Sequence, residues 1–182
     1  YHGRYAADWD EVRMVHRARI EVLADTDADI IAVETMPSVR EAVVVVEEVR
    51  RLTDRPMWLS FICSDGDHTV SGDALGDAGA TVLAAVGGAV DALGVNCTAP
   101  RHVEAALRNL AGPAGGRPLL AYPNHGADWD AEHRCWVGGA GGLELTEHLE
   151  VWIAAGARLV GGCCGVGSEG IRAVVSHRDA MV

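Results

Sequence analysis

The sequence predicts an α/β protein in which the strands of a parallel β-sheet alternate with helices. Short apolar segments and amphipathic segments alternate five times along the chain, as in strand–helix units joined by crossover connections. The apolar segments do not alternate polar with apolar residues, which is typical of strands covered on both faces. With 182 residues, 49% of them hydrophobic, the chain suits one domain with a sizeable core.

The first unit begins with a helix over residues 9–24, which repeats apolar residues at helical spacing. The side chains predicted to share its apolar face are Val12, Val15, Ile20 and Leu23. Residues 28–35 form an apolar run and are predicted to be a strand. Ser38, with Glu41 three residues later, has the pattern of a capping box, so the next helix begins there and extends to about Thr53.

The middle units follow from apolar runs separated by polar or glycine-rich segments. Predicted strands span 56–63, 91–96 and 118–122, and predicted helices span 80–87 and 100–110. Residues 64–77 are predicted to form a loop, and residues 112–116 a turn. Pro100 stands at the first position of its helix, where a missing N–H has no cost.

The last unit follows a long segment, residues 123–142, that has no clear periodicity. Thr146 is a suitable N-cap for a helix to residue 155, and residues 157–162 are predicted to be the fifth strand. A final helix is predicted from Ser168 onward.

Polar and sulfur-containing side chains gather where the predicted strands end. They are Glu34, Cys63, Asn96, Cys97, Asn124, Cys163 and Cys164. Ligand sites of parallel α/β folds lie at the C-terminal ends of the strands, in open sheets and in barrels alike. No glycine fingerprint for a dinucleotide follows any strand, which speaks against a Rossmann domain.

Two of these strand ends carry cysteines that predict a metal site. Cys163 and Cys164 are adjacent, so on a regular strand their side chains would point to opposite faces. The neighbouring glycines give the backbone freedom to turn both thiols toward one ligand, whereas a disulfide between adjacent residues would be strained. Together with Cys97 they form a three-thiolate set suited to zinc. The alternative is that each cysteine is a small buried hydrophobic residue.

Composition excludes several classes of function. The net charge of −11 argues against nucleic acids and anionic membranes as partners. The fifteen basic residues are all arginine, which excludes Schiff-base catalysis, lysine-anchored pyridoxal phosphate and a P-loop. The apolar runs are too short to span a bilayer, and no cleavable signal is evident. Five cysteines, an odd number, favour a reducing, cytoplasmic location over a disulfide framework.

Four segments resemble, in order, the zinc-dependent homocysteine S-methyltransferases. They are Glu-Thr-Met-Pro-Ser at 34–38 with Glu-Ala at 41–42, Gly-Val-Asn-Cys-Thr-Ala-Pro at 94–100, Tyr-Pro-Asn at 122–124 with Asp-Trp-Asp at 128–130, and Gly-Gly-Cys-Cys-Gly at 161–165. These variants are most similar to the branch that uses S-methylmethionine. The family fold is a (β/α)8 TIM barrel. The resemblance implies a partial barrel of the five C-terminal strand–helix units, with the first three strands absent, so that residues 1–182 form an N-terminally incomplete homocysteine-binding domain.

The resemblance also implies the chemistry. A methyl group would pass from a sulfonium donor, S-methylmethionine or S-adenosylmethionine, to the zinc-bound thiolate of homocysteine, giving methionine. Cys97, Cys163 and Cys164 would be the zinc ligands, and no catalytic general base is required. Glu34 would bind the substrate ammonium group or, alternatively, pair with a nearby arginine. Asn96 would orient the substrate or the cysteine loop or, alternatively, make a simple backbone hydrogen bond.

The remaining candidate residues are two cysteines, two histidines and two tryptophans, none of which is assigned to the metal. Cys63 and Cys135 lack the motif context and are predicted to be packing or incidental thiols. His68 is predicted to be a solvated loop histidine, as is His125. The tryptophans of the 123–142 segment, Trp129 and Trp136, either wall the donor site through cation–π contacts or anchor that segment to the barrel.

A different class of function also fits the sequence. The chain would then be a truncated or degenerate zinc-binding barrel fragment without catalytic activity. An incomplete barrel exposes two strand edges, through which the chain could associate with itself.

Overall fold

The computed structural model describes residue 3 and residues 5–130, 132–138 and 144–180, without the side chains of residues 128, 129, 136 and 144. The strands are β1 (Ile31–Met36), β2 (Met57–Phe61), β3 (Ala92–Asn96), β4 (Leu119–Tyr122), β5 (Asp128–Asp130), β6 (Cys135–Val137) and β7 (Ala157–Val160). The helices are α1 (Trp9–Ala24), α2 (Val39–Leu52), α3 (Leu75–Ala85), α4 (Pro100–Ala114), α5 (Glu144–Ala154) and α6 (Ser168–Ala180).

Five strands form one parallel sheet in the order β1-β2-β3-β4-β7, so each strand lies beside the next one along the chain. Right-handed crossovers between successive neighbours leave the helices on one face of such a sheet. Consecutive helices from α1 to α6 contact one another, as expected for a single outer layer. A doubly wound sheet would instead reverse its strand order at a switch point. The predicted α/β class and the partial-barrel arrangement are therefore confirmed.

The hydrophobic core lies between the sheet and the helices. Phe61 and Leu93 of the strands and Leu110 and Trp152 of the helices have no exposed surface. Side chains on the opposite face of the sheet are more open, and they line a cavity of about 320 Å³. Its wall residues include Trp58, Leu120, Tyr122 and Leu159. This cavity is bounded on one side by Gly161 and Gly162, directly before the paired cysteines.

Helix α1 is attached to α2 largely by charged contacts. Glu48 on α2 is 1% exposed; it accepts hydrogen bonds from Arg17 Nε at 2.8 Å and Arg13 Nη1 at 2.7 Å. The hydrogen bond from Arg17 outweighs the effect of burial and lowers the pKa of Glu48 to about 2. On the same helix, Glu41 accepts a hydrogen bond from Tyr5.

Only two of the four side chains predicted to form the apolar face of α1 are buried. Val12 and Ile20 are buried, whereas Val15 is 52% and Leu23 is 46% exposed. A capping box formed by Asp8 and Glu11, which the sequence analysis did not identify, begins this helix.

Two helix boundaries and one connecting segment differ from prediction. Helix α3 begins at Leu75 rather than residue 80, and no side-chain cap marks its start. Helix α4 continues to Ala114, where Gly115 in the left-handed conformation ends it, so the predicted turn at 112–116 is wrong in its first half. The segment 123–142, to which the sequence analysis assigned no element, contains the antiparallel hairpin β5–β6.

Within the described residues, none of the helices combines the length and apolar character needed to cross a bilayer.

Candidate functional site

Three cysteine thiols meet at the C-terminal edge of the sheet. Cys97 follows β3 directly, and Cys163 and Cys164 follow β7 after two glycines. Cys97 Sγ lies 3.3 Å from Cys164 Sγ, and Cys163 Sγ lies 4.0 Å from Cys164 Sγ. All three sulfur atoms lie within 4.8 Å of one another. The structure thus brings together the three residues that the sequence predicted as metal ligands.

The last residue of β4 and the loop after it bond to both cysteine segments. The Cys97 N–H donates to the Tyr122 carbonyl at 3.2 Å, and the Cys163 N–H donates to the Pro123 carbonyl at 2.8 Å. Asn124 adds a side-chain contact by donating to the Cys97 carbonyl at 3.2 Å. Because this loop lies between the two segments and bonds to each, it fixes the separation of their thiols.

Two residues of the cysteine loops use the left-handed backbone region, as does Thr35 with φ of 63° at the end of β1. Cys97 has φ of 49° and Gly165 has φ of 77°. A Cβ at Gly165 would also lie 2.2 Å from the His125 ring, so only glycine fits there. Gly161 and Gly162, by contrast, are not among the residues with positive φ. The turn that brings the paired thiols together therefore depends on Gly165 in particular.

Asn96 connects the end of β1 with the thiol cluster. Its side-chain oxygen accepts hydrogen bonds from the Thr35 N–H at 2.8 Å and the Ser60 hydroxyl at 2.7 Å. A backbone N–H can only donate, so the Thr35 contact fixes which end of the amide is the oxygen. The amide nitrogen then donates to Thr35 Oγ1 at 2.8 Å and lies 3.9 Å from Cys163 Sγ. Asn96 is 1% exposed, so its amide serves protein contacts; its role toward a substrate stays a prediction.

Glu34 lies on the exposed side of β1 near the same edge. The Tyr122 hydroxyl lies 3.0 Å from Glu34 Oε2 and 2.6 Å from Ser60 Oγ. Across the part of the chain that the structure describes, Glu34 has no ion pair with an arginine, so the arginine alternative finds no support. The sequence analysis missed Ser60 and Tyr122, although a serine inside the apolar strand at 57–61 was a usable signal.

The short distances between the thiols make them unequal acids. A hydrogen bond from Cys97, with a further contribution from the Asn96 amide, lowers the pKa of Cys163 to about 6 although the side chain is partly buried. The pKa of Cys97 is raised, because its proton is shared with Cys163 and its side chain is partly buried. Thiolates rather than thiols are metal ligands, so Cys163 is the group most ready to bind a cation.

The donor set fits a zinc ion. Zn–S bonds of ~2.3 Å in a tetrahedron place the sulfur atoms roughly 3.8 Å apart. The observed contacts of 3.3 and 4.0 Å bracket that separation. Small rotations of the side chains would suffice for all three sulfurs to reach one ion. The cysteine cluster can therefore bind a metal ion.

The other candidates lie outside this cluster. Cys63 is buried, which raises its pKa to about 12, and Cys135 is exposed on β6. His68 is exposed, and its Nδ1 lies 3.2 Å from Asp65 Oδ2. His125 lies beside the cysteine cluster, and its Nδ1 lies 3.2 Å from the Cys164 carbonyl oxygen. Both predicted tryptophans lie on the β5–β6 hairpin, but their side chains are outside the described part of the structure.

A family model described as homocysteine S-methyltransferase matches residues 1–177 of this chain. The chain belongs to the homocysteine S-methyltransferase family. Its relatives include the selenocysteine Se-methyltransferase of Brassica oleracea var. italica, 39% identical over 162 residues that cover 87% of this chain and 46% of the relative. The homocysteine S-methyltransferase of Escherichia coli strain K12 is 38% identical over 167 residues, covering 90% of this chain and 52% of that protein.

Solved structures of the family agree with the fold. The metallated form of the homocysteine methyltransferase MmuM from Escherichia coli matches with a TM-score of 0.77 and 34% identity, covering 97% of this chain and 54% of that chain. The chain thus spans about half the length of the family relatives it matches.

Proposed function

We propose that residues 1–182 form part of a homocysteine-binding domain and supply the metal and homocysteine site of a homocysteine S-methyltransferase. The observation that carries this proposal is the convergence of three thiols from two strand ends in a chain of this family. In the proposed reaction a sulfonium donor, S-methylmethionine or S-adenosylmethionine, gives its methyl group to the sulfur of homocysteine. The new S–CH3 bond forms as the methyl–sulfonium bond breaks, and the donor leaves as a neutral thioether.

Cys97, Cys163 and Cys164 would hold a zinc ion in this reaction. Zinc bound by three protein thiolates has a fourth position for homocysteine and keeps that thiol deprotonated at neutral pH. The proton of the homocysteine thiol is released to solvent. MmuM has been solved in a metallated form, which supports a bound metal ion in a chain of this family.

The chain's own side chains would bind the rest of the substrate. The exposed carboxylate of Glu34 would bind the ammonium group, since no arginine neutralises it among the described residues. The cavity walled by Trp58, Tyr122 and Leu159 adjoins Gly162 and would receive the methylene chain. A sulfonium donor is already cationic, so the site needs no general base to activate it. The thiolate cluster and Glu34 also give the site the negative charge that attracts a cation.

Glu34→Ala tests the substrate assignment. Loss of a charged partner for the ammonium group should weaken homocysteine binding by about tenfold or more, because hydrogen bonds to charged groups contribute ~1.5–3 kcal/mol. Isothermal titration of homocysteine into the zinc-loaded chain measures this effect, and zinc content should not change. Glu104→Ala is the matched control, because Glu104 pairs with Arg108 on the exposed surface of α4. Equal homocysteine affinities of the Glu34 variant and the unmodified chain would refute the assignment.

A further inference from the structure

We propose that Thr35 is a positioning residue for the Glu34 carboxylate: bonded to Asn96, it holds the end of β1 in a bulge that aims Glu34 at the edge of the sheet where the cysteines lie. The inference deepens the proposed function and rests on it, because it concerns how Glu34 reaches the amino group of the substrate. It gives Thr35 a role that the sequence analysis did not assign.

Strand β1 contains one extra residue just before its end. Val33 pairs with Leu59 of β2. Three residues later Met36 pairs with Phe61, so β1 takes three steps where β2 takes two. Such an insertion is a β-bulge, which re-aims the side chains beside it. All four of these paired side chains are buried, so the bulge keeps the core contacts on either side of it.

The bulge brings two consecutive polar side chains to one face of the sheet. On a regular strand Glu34 and Thr35 would point to opposite faces. Ser60 lies between two core residues of β2, so it points away from the helices, and it bonds to both Asn96 and Tyr122. Glu34 bonds to Tyr122 at 3.0 Å, and Thr35 bonds to Asn96 at 2.8 Å. Both side chains of the bulge therefore reach the face opposite the helices.

Thr35 adopts a backbone conformation that a β-branched residue rarely takes. Its φ is 63°, in the left-handed region that favours glycine. Residues in such conformations persist where the surrounding structure holds them, and they cluster at functional sites. The bulge at Thr35 therefore depends on contacts that fix it from outside β1.

The side chain of Asn96 supplies these contacts. Its amide oxygen accepts the Thr35 N–H at 2.8 Å, and its amide nitrogen donates to Thr35 Oγ1 at 2.8 Å. Asn96 is on β3 and β1 pairs with β2, so the two bonds reach across β2. Glu34 directly precedes Thr35, and Cys97 directly follows Asn96. The two bonds thus connect the carboxylate with a predicted metal ligand.

The bond to Thr35 Oγ1 should matter for the amino group of the substrate and not for its thiol. Without this oxygen, the bulge keeps one bond to Asn96, and Glu34 is displaced rather than removed. A charge-assisted hydrogen bond between an ammonium group and a carboxylate depends on their geometry, so displacement weakens it. A thiol ligand that has no amino group makes no such bond and should bind as before.

The test compares two thiols on the zinc-loaded chain by isothermal titration: homocysteine, and 4-mercaptobutanoate, which is homocysteine without its amino group. Thr35→Val keeps the branched shape but removes Oγ1. Homocysteine affinity should fall about fivefold, the equivalent of one neutral hydrogen bond, while 4-mercaptobutanoate affinity changes by less than about twofold. Thr35→Ser keeps the hydroxyl and should retain the homocysteine affinity.

Two further variants make the test independent of folding and of general damage to the site. Thr35→Gly suits a φ of 63° and removes the same oxygen without crowding, so it should show the same fall. In a chain that already carries Glu34→Ala, Thr35→Val should change homocysteine affinity by less than about twofold, because Thr35 acts through Glu34.

Thr53→Val is the matched control. The Thr53 hydroxyl also accepts a hydrogen bond, from the Arg55 N–H at 3.2 Å, but at the N-terminal edge of the sheet. Its loss should leave both affinities and the zinc content unchanged.

The possible outcomes separate this inference from the proposed function. Unchanged homocysteine affinity in Thr35→Val and Thr35→Gly, or an equal loss for both thiols, overturns the inference. Loss of zinc from these variants also overturns it, since Thr35 would then support the metal site and not Glu34. If Glu34→Ala lowers homocysteine affinity in any of these cases, the proposed function stands. If Glu34→Ala has no effect, the Glu34 assignment and the inference both fail.

Discussion

Gly165 is the single residue on which the geometry of the paired cysteines depends most clearly. Its φ of 77° suits glycine, and an added Cβ would lie 2.2 Å from His125 Nδ1. We expect Gly165→Ala to lower the free energy of unfolding by ~1–3 kcal/mol and to weaken metal binding at Cys164. Urea unfolding and zinc titration measure the two effects.

Gly167→Ala is the control for this prediction. Gly167 follows in the same loop, but a Cβ there meets no atom within 4 Å, and its φ is outside the left-handed region. It should change the free energy of unfolding by less than about 1 kcal/mol, since the carbonyl of Gly167 accepts the first hydrogen bond of α6 and alanine is only a weaker N-cap there. Equal effects of the two alanine substitutions would show that the conformation of Gly165 is not what holds the site.

At the level of residues, the sequence predicts the metal site better than the substrate site. Parallel strands end at a common edge, so cysteines that follow two of them can be expected to meet. The contacts of Ser60 and Tyr122 depend on strand register and side-chain direction across three strands, which single-chain patterns do not reveal. The orientation of the Asn96 amide depends on Thr35, 61 residues away.

At the level of elements, α1 depends on the charge of Glu48. The pKa of this carboxyl is lowered from 4.5 to about 2, with the hydrogen bond from Arg17 as the main cause. A depressed carboxyl pKa stabilises the fold above the unfolded pKa, and the contribution is lost as pH falls toward the folded value. Glu48→Gln should therefore cost ~1–3 kcal/mol of unfolding free energy near neutral pH, and the difference from the unmodified chain should shrink between pH ~4.5 and ~2.

Urea unfolding across that pH range is the measurement, with Glu47→Gln as control. Glu47 has a 40% exposed side chain and, among the described residues, bonds only to Arg13, so its removal should cost less than about 1 kcal/mol. A stability difference for Glu48→Gln that stays constant with pH would contradict the account of how α1 is attached.

The start of a helix was predicted well where a capping side chain marks it, and elements without such a sequence signal were misplaced or missed. Ser38 accepts a hydrogen bond from the Glu41 N–H at 3.3 Å, as predicted for the start of α2. The reciprocal half of the predicted capping box is not seen among the described residues, because the Glu41 carboxylate bonds to Tyr5 and His16 instead. Helix α3 has no capping side chain, so its start was placed too late. The β5–β6 strands have three residues each, too few for a period-2 pattern to stand out. The amphipathic pattern of α1 was misleading because charged side chains, rather than apolar ones, make much of its contact with α2.

At the level of the whole molecule, the sheet has two edge strands. Within the described residues, β1 pairs only with β2, and β7 pairs only with β4. Leu159 on β7 is 46% exposed. A closed barrel positions groups from several strand ends around one mouth, and an open sheet does not fix Glu34 on β1 relative to Cys163 beyond β7 in the same way.

We therefore predict that the 182-residue chain has little methyltransferase turnover even when it is loaded with zinc. A misplacement of ~1 Å can cost on the order of a hundredfold in rate. The assay uses homocysteine and S-methylmethionine, and the control is a version extended at its N-terminus by three family strand–helix units. Comparable turnover of the two proteins would contradict this prediction. It would also support the predicted self-association through the strand edges, which sedimentation can measure directly.

The central claim is that Cys97, Cys163 and Cys164 form one metal site, and zinc analysis of single Cys→Ser variants tests it most directly. The unmodified chain should bind about one zinc ion, and each of the three substitutions should remove most of it, because a structural or catalytic zinc site needs at least three protein ligands. Cys135→Ser, at an exposed cysteine outside the cluster, should retain the metal. Undiminished zinc in all three cluster variants would contradict the account.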